Sequence, residues 1–284
     1  MTTHDRTVSV QSRMLGNELR RLRATAGLTQ EQAAAHLSKA ANKVSRVENG
    51  VVGIDKTDLD ALLSLYDAPE KDAVWVRHLA QGSRRRRGRP TGETVLYRGP
   101  KWFRSFYELE RDATEVSIVC SEIMTGILQT DAYIRAMFAA QGIDPYSEPV
   151  TETIRLRAER RKLLTKDDAA TFSFVISESA LQRHFGSAKV MFDQHEHLVD
   201  LAMRPNITIQ VMPFVTKSYE PMGYDFTVLR FDTVDDCVYL EMYDDAAYLD
   251  KAESVGVYAD LLRRLQRAAL GPVESRNYIV ERFQ

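Results

Sequence analysis

Four residues of a short amphipathic segment carry side chains whose types and spacing suit the reading of base edges. Ala41, Asn42, Ser45 and Arg46 follow an i, i+1, i+4, i+5 pattern, so they share one helical face opposite Val44 and Val47. Ala41 is small and permits close approach. Asn42 can make paired hydrogen bonds to adenine, and Arg46 can do the same to guanine. Lys39, Lys43 and Ser45 suit phosphate oxygens. Gln30, at the start of the preceding segment, can offer its amide and a helix N-terminus to a phosphate.

These residues need helices to hold them, and the punctuation supplies helices. Leu15, Leu19, Leu22 and Ala26 recur at helical spacing before a stop at Gly27. Thr29 and Gln32 form a capping-box pair that opens a second helix through Ala33, Ala34 and Leu37. A third helix is expected over about 40–49, ended by Gly50. Thr57 is expected to cap a fourth with Leu59, Leu62, Leu63 and Tyr66, and Pro69 to open a fifth that ends at Gly82. A short capped helix, a tight turn and a second short helix over 29–49 make a helix-turn-helix pattern.

Charge divides the chain in the same place. The total of −2 over 284 residues conceals a basic first part and an acidic remainder. Residues 1–92 hold 16 Lys and Arg against 10 Asp and Glu; the rest holds 22 against 30. That asymmetry points the first part, and not the second, towards nucleic acid. At the join, residues 82–92 read Gly-Ser-Arg-Arg-Arg-Arg-Gly-Arg-Pro-Thr-Gly. Arg84, Arg85, Arg86, Arg87 and Arg89 repel one another, so a flexible hinge that tracks DNA phosphates is expected.

Beyond residue 100 the hydrophobic period alternates between helix and strand. A helix after Pro100 carries Trp102, Phe103, Phe106 and Leu109. Strands are expected at 116–120, 171–177, 207–211, 224–231 and 237–242. Helices are expected from Thr130 to about Gln141, from Pro149 to Leu164, and over 179–185, 187–203 and 251–270, with a last one after Pro272. The expected architecture is an all-α helix-turn-helix N-terminal domain plus a mixed α/β (α+β) C-terminal domain with a central sheet. Its divisions are 1–13 as a flexible tail, 14–82 as the DNA-binding domain, 83–99 as a basic linker and 100–284 as a regulatory, dimerisation or partner-binding domain.

Catalytic residues, cofactors and metals are not expected. No apolar run reaches the ~18 residues needed to span a bilayer, and the first residues lack the apolar stretch of a signal peptide. Cys120 and Cys237 are too few for a disulfide framework or structural zinc, and both sit in apolar runs. His195 and His197, two apart on a helix, point to different faces. The cluster Arg155, Arg157, Arg160 and Arg161 reads as a solvated or interface face. If a ligand pocket exists, Gly126, Gln129, Thr130 and Tyr133 are candidates because they begin a helix after an irregular loop. Glu178, Arg183, Glu241 and Tyr248 are candidates because they follow strand ends.

The segment LGNELRRLRATAGLTQEQAAAHLSKAANKVSRVENG resembles the phage-repressor-type (XRE, Cro/C1-like) helix-turn-helix over about residues 14–68. The matching positions are Leu19, Arg23, Gly27, Leu28, Thr29, Gln30, Ala34, Leu37, Val44 to Glu48 and Gly50. The resemblance implies an ion pair between Arg23 and Glu48, base contacts from Ala41, Asn42 and Arg46, and phosphate contacts from Gln30, Lys39 and Lys43. Ala40 and Ala41 depart from the polar or proline residues common in that family, which places sequence preference on Asn42 and Arg46.

Residues 100–280 also resemble a known family, the C-terminal domain of actinobacterial XRE regulators of the WhiJ type. The likeness is carried by SEIMTGILQTDAYIRA, RLRAERRKLL, FVISESALQRHFG, LVDLAMRPNITIQVMPF and VYLEMYDDAAYLD. It implies a regulator, often paired with a small partner protein encoded nearby, and a ligand sensor. Cys120, Ser121 and Arg161 depart from the commonest pattern. The expected protein is a cytoplasmic, nucleoid-associated regulator that binds a palindromic operator in double-stranded DNA as a homodimer. Alternatives are an antitoxin-like module masking a partner protein, or an enzyme tethered to DNA.

Overall fold

A computed structural model describes residues 8–85, 95–98, 101–166, 168–216, 220–242 and 245–283. The N-terminal part is five helices: α1 (Val10–Thr25), α2 (Gln30–His36), α3 (Ala41–Glu48), α4 (Lys56–Leu65) and α5 (Glu70–Arg85). Their local signals act as expected at most ends. The Thr29 hydroxyl accepts from the Gln32 amide at 3.2 Å while the Gln32 side chain accepts from the Thr29 amide at 2.8 Å. Gly27 ends α1 with φ at +70°, a conformation that favours glycine.

Three boundaries differ from the sequence reading. Residues 8–13, expected in a flexible tail, belong to the fold: Ser9 caps α1 and Val10 is completely buried. The cap of α4 is Asp55, whose carboxylate accepts from the Asp58 amide at 2.8 Å, rather than Thr57. Helix α5 continues past Gly82 to Arg85, because one glycine costs a helix only about 1 kcal/mol. The first residues of the expected linker are therefore helical, and 86–94 lie outside the described residues.

The core of the bundle is built from Met14, Leu15, Leu19 and Leu22 of α1 with Ala33, Ala34, Val44, Val47, Leu59 and Leu62. Gly16 sets how closely α1 passes the end of α3. A Cβ built there would lie 2.4 Å from the Glu48 carbonyl oxygen. Between α2 and α3 the chain turns on Ser38 at φ +55°, and the Lys39 amide donates back to the Ala34 carbonyl at 2.9 Å.

The C-terminal part follows with β1 (Val95–Arg98), α6 (Lys101–Asp112), β2 (Glu115–Cys120), a single 3-10 turn at Gly126–Leu128, α7 (Asp131–Ala140) and α8 (Glu148–Arg161). Next come β3 (Thr171–Ser177), α9 (Glu178–Gln182), α10 (Ala188–Ala202), β4 (Ile207–Met212), β5 (Phe226–Arg230), β6 (Cys237–Glu241) and β7 (Asp245–Leu249). Helices α11 (Ala252–Ala268) and α12 (Pro272–Phe283) close the chain. The domain is α+β, with a seven-stranded mixed sheet of order β1-β7-β6-β5-β2-β3-β4. Strands β2, β3 and β4 pair parallel, and all other pairs are antiparallel.

Period-two alternation sends each strand's side chains to two different cores. Val116, Ile118, Cys120, Phe172, Phe174 and Ile176 face the side that also holds Phe106 and Leu109 of α6. Val119, Val175, Phe226, Val228 and Val238 face Leu262, Leu265 and Ala268 of α11. Both faces are covered, which is why β2 and β3 read as nearly unbroken apolar runs.

The helical bundle rests on this domain. Val8 forms an isolated bridge with Val234, and the Asp235 amide donates to the Val8 carbonyl at 3.2 Å. Arg13 of α1 reaches Asp112 at the end of α6 at 2.7 Å. One contiguous cluster of buried apolar side chains runs from the N-terminal helices into the sheet domain.

Candidate nucleic-acid interface and C-terminal cavity

Helix α3 buries Val44 and Val47 and leaves Ala41, Asn42 and Arg46 exposed on the opposite side. That is the arrangement the i, i+1, i+4, i+5 spacing requires. Lys39 is exposed beside them. Lys43 is half-buried, its ammonium 3.9 Å from Asp58. The Ser45 hydroxyl, also half-buried, accepts from the Asn49 amide at 3.5 Å.

Glu48 ends α3 at 1% exposure and gathers three partners. The Arg23 guanidinium donates to both its oxygens, at 2.6 and 2.9 Å, and also to the Leu28 carbonyl at 2.8 Å. A bidentate pair of this kind is among the stronger charge-assisted contacts. The Glu48 carboxylate and burial act in opposite directions on Arg23, and the hydrogen bond prevails, raising its pKa. Arg20 donates to the Glu48 carbonyl at 2.9 Å and to the Asn49 side chain at 2.7 Å.

The third partner is Gln30, expected to offer its amide to a phosphate; it donates one of its two amide hydrogens to Glu48 at 2.8 Å. A buried carboxylate with an unfilled lone pair attracts a nearby amide donor more strongly than solvent does. Gln30 therefore joins α2 to α3. Arg84 and Arg85 belong to α5, though only their backbone is described, and Arg86, Arg87 and Arg89 lie outside the described residues.

In the C-terminal domain, Gly126, Gln129 and Glu241 come together around a cavity of about 340 Å³. It opens where β2 and β6 end and β5 begins. Phe106, Ile118, Met124, Met137 and Phe226 supply apolar wall, while Cys120, Arg157, Arg160, Asp225, Thr227 and Tyr239 supply polar groups. The remaining candidates lie elsewhere. Thr130 caps α7, its hydroxyl accepting from the Tyr133 amide at 3.3 Å. Tyr133 is fully buried, edge-on to Phe185 at 5.2 Å, and burial pushes its phenol up to about 12. Glu178 accepts from the Phe214 amide at 2.8 Å and from Gln182 at 2.6 Å. Arg183 pairs with Glu122. Tyr248 lies behind Tyr239, 5.3 Å from ring to ring.

The arginines of α8, expected as one solvated or interface face, divide between the surface and the interior. Arg155 alone fits, pairing with Glu152 on the exposed side. Arg160 is buried with Glu110 of α6 at 2.6 and 2.7 Å, at 5% and 0% side-chain exposure. Its guanidinium also lies 5.0 Å over the Phe106 ring, which stacks on Tyr239 at 4.0 Å. Arg157 donates to the Gln129 side-chain oxygen, and Arg161 to the Gln129 carbonyl at 2.8 Å. Burial and the neighbouring Arg160 lower the Arg157 pKa to about 10. The sequence held one signal for this. Val150 and Ile154 mark the inward stripe of α8, and Arg157 and Arg161 continue it at helical spacing.

Gly126 makes room for the two inward arginines. A Cβ there would stand 3.1 Å from Nε of Arg157 and 3.4 Å from Nη1 of Arg160. Cys120 and Cys237 are buried thiols, and burial pushes the Cys120 thiol up to about 12. His195 contacts the Leu181 carbonyl at 3.0 Å and the Phe283 ring at 5.0 Å. Among the described residues no group of His, Cys, Asp and Glu could hold a metal ion, and no helix is long and apolar enough to cross a membrane.

A short helix pair, its first helix capped by Thr29 and its second polar and exposed, resting on a sheet domain, defines a two-part helix-turn-helix protein. Residues 14–79 match the family described as a helix-turn-helix domain, and residues 103–281 match the one described as a domain of unknown function (DUF5753). The second match spans more than half of the chain, which therefore belongs to the DUF5753 family. No curated protein matches the chain. Among solved structures, TrmBL2, an archaeal chromatin protein whose structure shows a novel mode of DNA binding, is similar at 12% identity and a TM-score of 0.30. That likeness covers 89% of this chain and 93% of the other. It is too loose to carry any argument.

Proposed function

We propose that the protein is a sequence-specific transcriptional regulator of the XRE type, WhiJ-like in organisation. It binds a palindromic operator as a homodimer and answers to a signal received by its C-terminal domain. The observation that carries this is the exposed Ala41–Asn42–Arg46 face of α3, held by a buried Glu48 that joins α1, α2 and α3. The exposed face supplies groups for base edges, and the Arg23–Glu48–Gln30 junction keeps that face at a fixed angle. One such helix reads only a few base pairs, so two copies about one helical turn apart raise affinity and specificity together. The acidic C-terminal part is repelled by DNA, which suits it to self-association, a partner protein or a ligand.

Genome-wide footprinting of the purified full chain tests this, with and without the product of its neighbouring gene. A small set of palindromic protected sites supports the reading. Uniform, salt-sensitive protection without sequence preference would sink it.

A further inference from the structure

The cavity at the ends of β2 and β6 contains two opposite charges that no ion-pair contact joins among the described residues. Of its four charged lining residues, two are committed elsewhere. Arg160 is neutralised by Glu110 in a bidentate pair. Asp225 holds the loop after β2, accepting from the Ser121 amide at 2.8 Å and hydroxyl at 2.5 Å. Arg157 and Glu241 remain. Among the described residues Arg157 has one hydrogen-bond partner, the neutral side chain of Gln129. Glu241 lies near the Tyr239 hydroxyl but, among the described residues, has no cation in ion-pair contact. The two residues attract each other electrostatically, yet no pair within 4.0 Å joins them among the described residues.

A half-buried guanidinium whose hydrogen-bond partner is a neutral amide has donors left for an anion. Here the anion cannot be a bare one. With Arg160 cancelled, the lining carries one positive and two negative side chains, so a further negative charge alone would be repelled. A molecule with a carboxylate at one end and an ammonium a few bonds away satisfies both groups at once. The volume of about 340 Å³ lies at the low end of ligand pockets, ~300–1,000 Å³, and excludes a dinucleotide. Phe106, Ile118, Met124 and Met137 offer apolar wall to whatever the two charged ends do not account for.

We infer that this cavity is a binding site for a free amino acid, its carboxylate on Arg157 and its ammonium on Glu241. Gly126 and Gln129 act as positioning residues: Gly126 admits the arginine side chains, and Gln129 holds Arg157 in place. The assignment deepens the signal-receiving role proposed above and rests on that role only for what occupancy does to DNA binding. A route for that effect exists, because α6 supplies Phe106 to the cavity, Glu110 to its Arg160 and Asp112 to the contact with α1.

The test is calorimetric and thermal titration of the full chain, without DNA, against each of the twenty standard L-amino acids. The deaminated and decarboxylated analogues of the best binder follow. One or a few amino acids should bind saturably and raise the Tm, with both analogues weaker by about tenfold or more. Arg157→Gln should weaken the amino acid by about tenfold or more. Glu241→Gln, at the exposed mouth, should weaken the amino acid more than its deaminated analogue. Saturable binding by none of the twenty overturns the assignment, as does full affinity in both variants. A missing footprint in a protein that still binds its amino acid would sink the regulator reading and leave the site standing.

Discussion

Arg13 on α1 and Asp112 at the end of α6 are joined by two hydrogen bonds, 2.7 and 3.1 Å, across ninety-nine residues of chain. Two residues before Asp112 on α6, Glu110 turns the other way and closes on Arg160 beside the cavity. One helix thus touches the helix-turn-helix bundle with one face and the cavity with another. Arg13→Ala, which leaves both sites intact, is expected to weaken any effect of ligand on operator affinity while leaving ligand affinity unchanged. Titrating operator with and without ligand measures it.

Arg46→Ala is expected to cost ~1–3 kcal/mol at a specific operator and to relax preference at the base it reads. Binding curves on operator and random duplex at one salt concentration separate this from a general loss. Equal weakening on both would contradict base readout by this side chain.

Removing Arg23 leaves Glu48 buried with only Gln30 and the more distant Arg20 for support. The change is expected to destabilise the N-terminal domain by about 3 kcal/mol. Denaturant unfolding followed through Trp75, which lies in that domain, reports it. An unaltered midpoint would show that the junction is dispensable.

Arg160→Met alone strands the Glu110 carboxylate at zero exposure, and a loss of ~3–5 kcal/mol is expected. Adding Glu110→Leu to it should recover much of that loss, since an apolar pair of similar volume can replace a buried ion pair. A double variant as unstable as the single one would mean that the helix position, rather than the charge, was lost.

Glu108 lies against the bundle, and burial first, then the charge of Glu18, raises its carboxyl above the ordinary value near 4.5. A raised native pKa gives stability that is complete below the unfolded value and declines as pH rises through the native one. Glu108→Gln is therefore expected to be more stable than the parent at pH 7, with the difference vanishing below about pH 4. Melting both proteins from pH 4 to 8 checks the sign. A variant less stable at neutral pH would refute it.

Replacing Arg84 to Arg87 with alanine should weaken binding to all duplexes. The slope of log K against log salt should fall by about 0.9 for each arginine that rests on a phosphate. An unchanged slope would place these residues off the DNA.

The sequence disclosed what short-range physics decides. Thr29 with Gln32, Thr130, Ser187 and Gly27 act within one helical turn, so caps and stops were legible. The exposed face of α3 was legible for the same reason. Long-range pairing was not. Strand β2 is hydrogen-bonded to β5, more than a hundred residues onward, and nothing local specifies that neighbour. Strand β7 carries Ala246 and Ala247 where β-branched residues usually stand, so its composition conceals it. Arginine is rarely buried unless paired, so the burial of Arg160 does not show in its own segment. The pairing that allows it, Glu110, lies fifty residues away on another helix. The bond from Gln30 to Glu48 is equally hidden, because the carboxylate arrives from the next helix.

The seating of α1 on the sheet domain through Val8, Arg13 and Asp112 has a geometric corollary for any dimer of this chain. When the reading helices are fixed to the bodies that meet, the distance between them is a ruler cut into the protein. Such a ruler accepts operators of one half-site spacing. Inserting half a turn of DNA between the half-sites would turn one of them to the far side of the duplex, where no swing of a tether could follow.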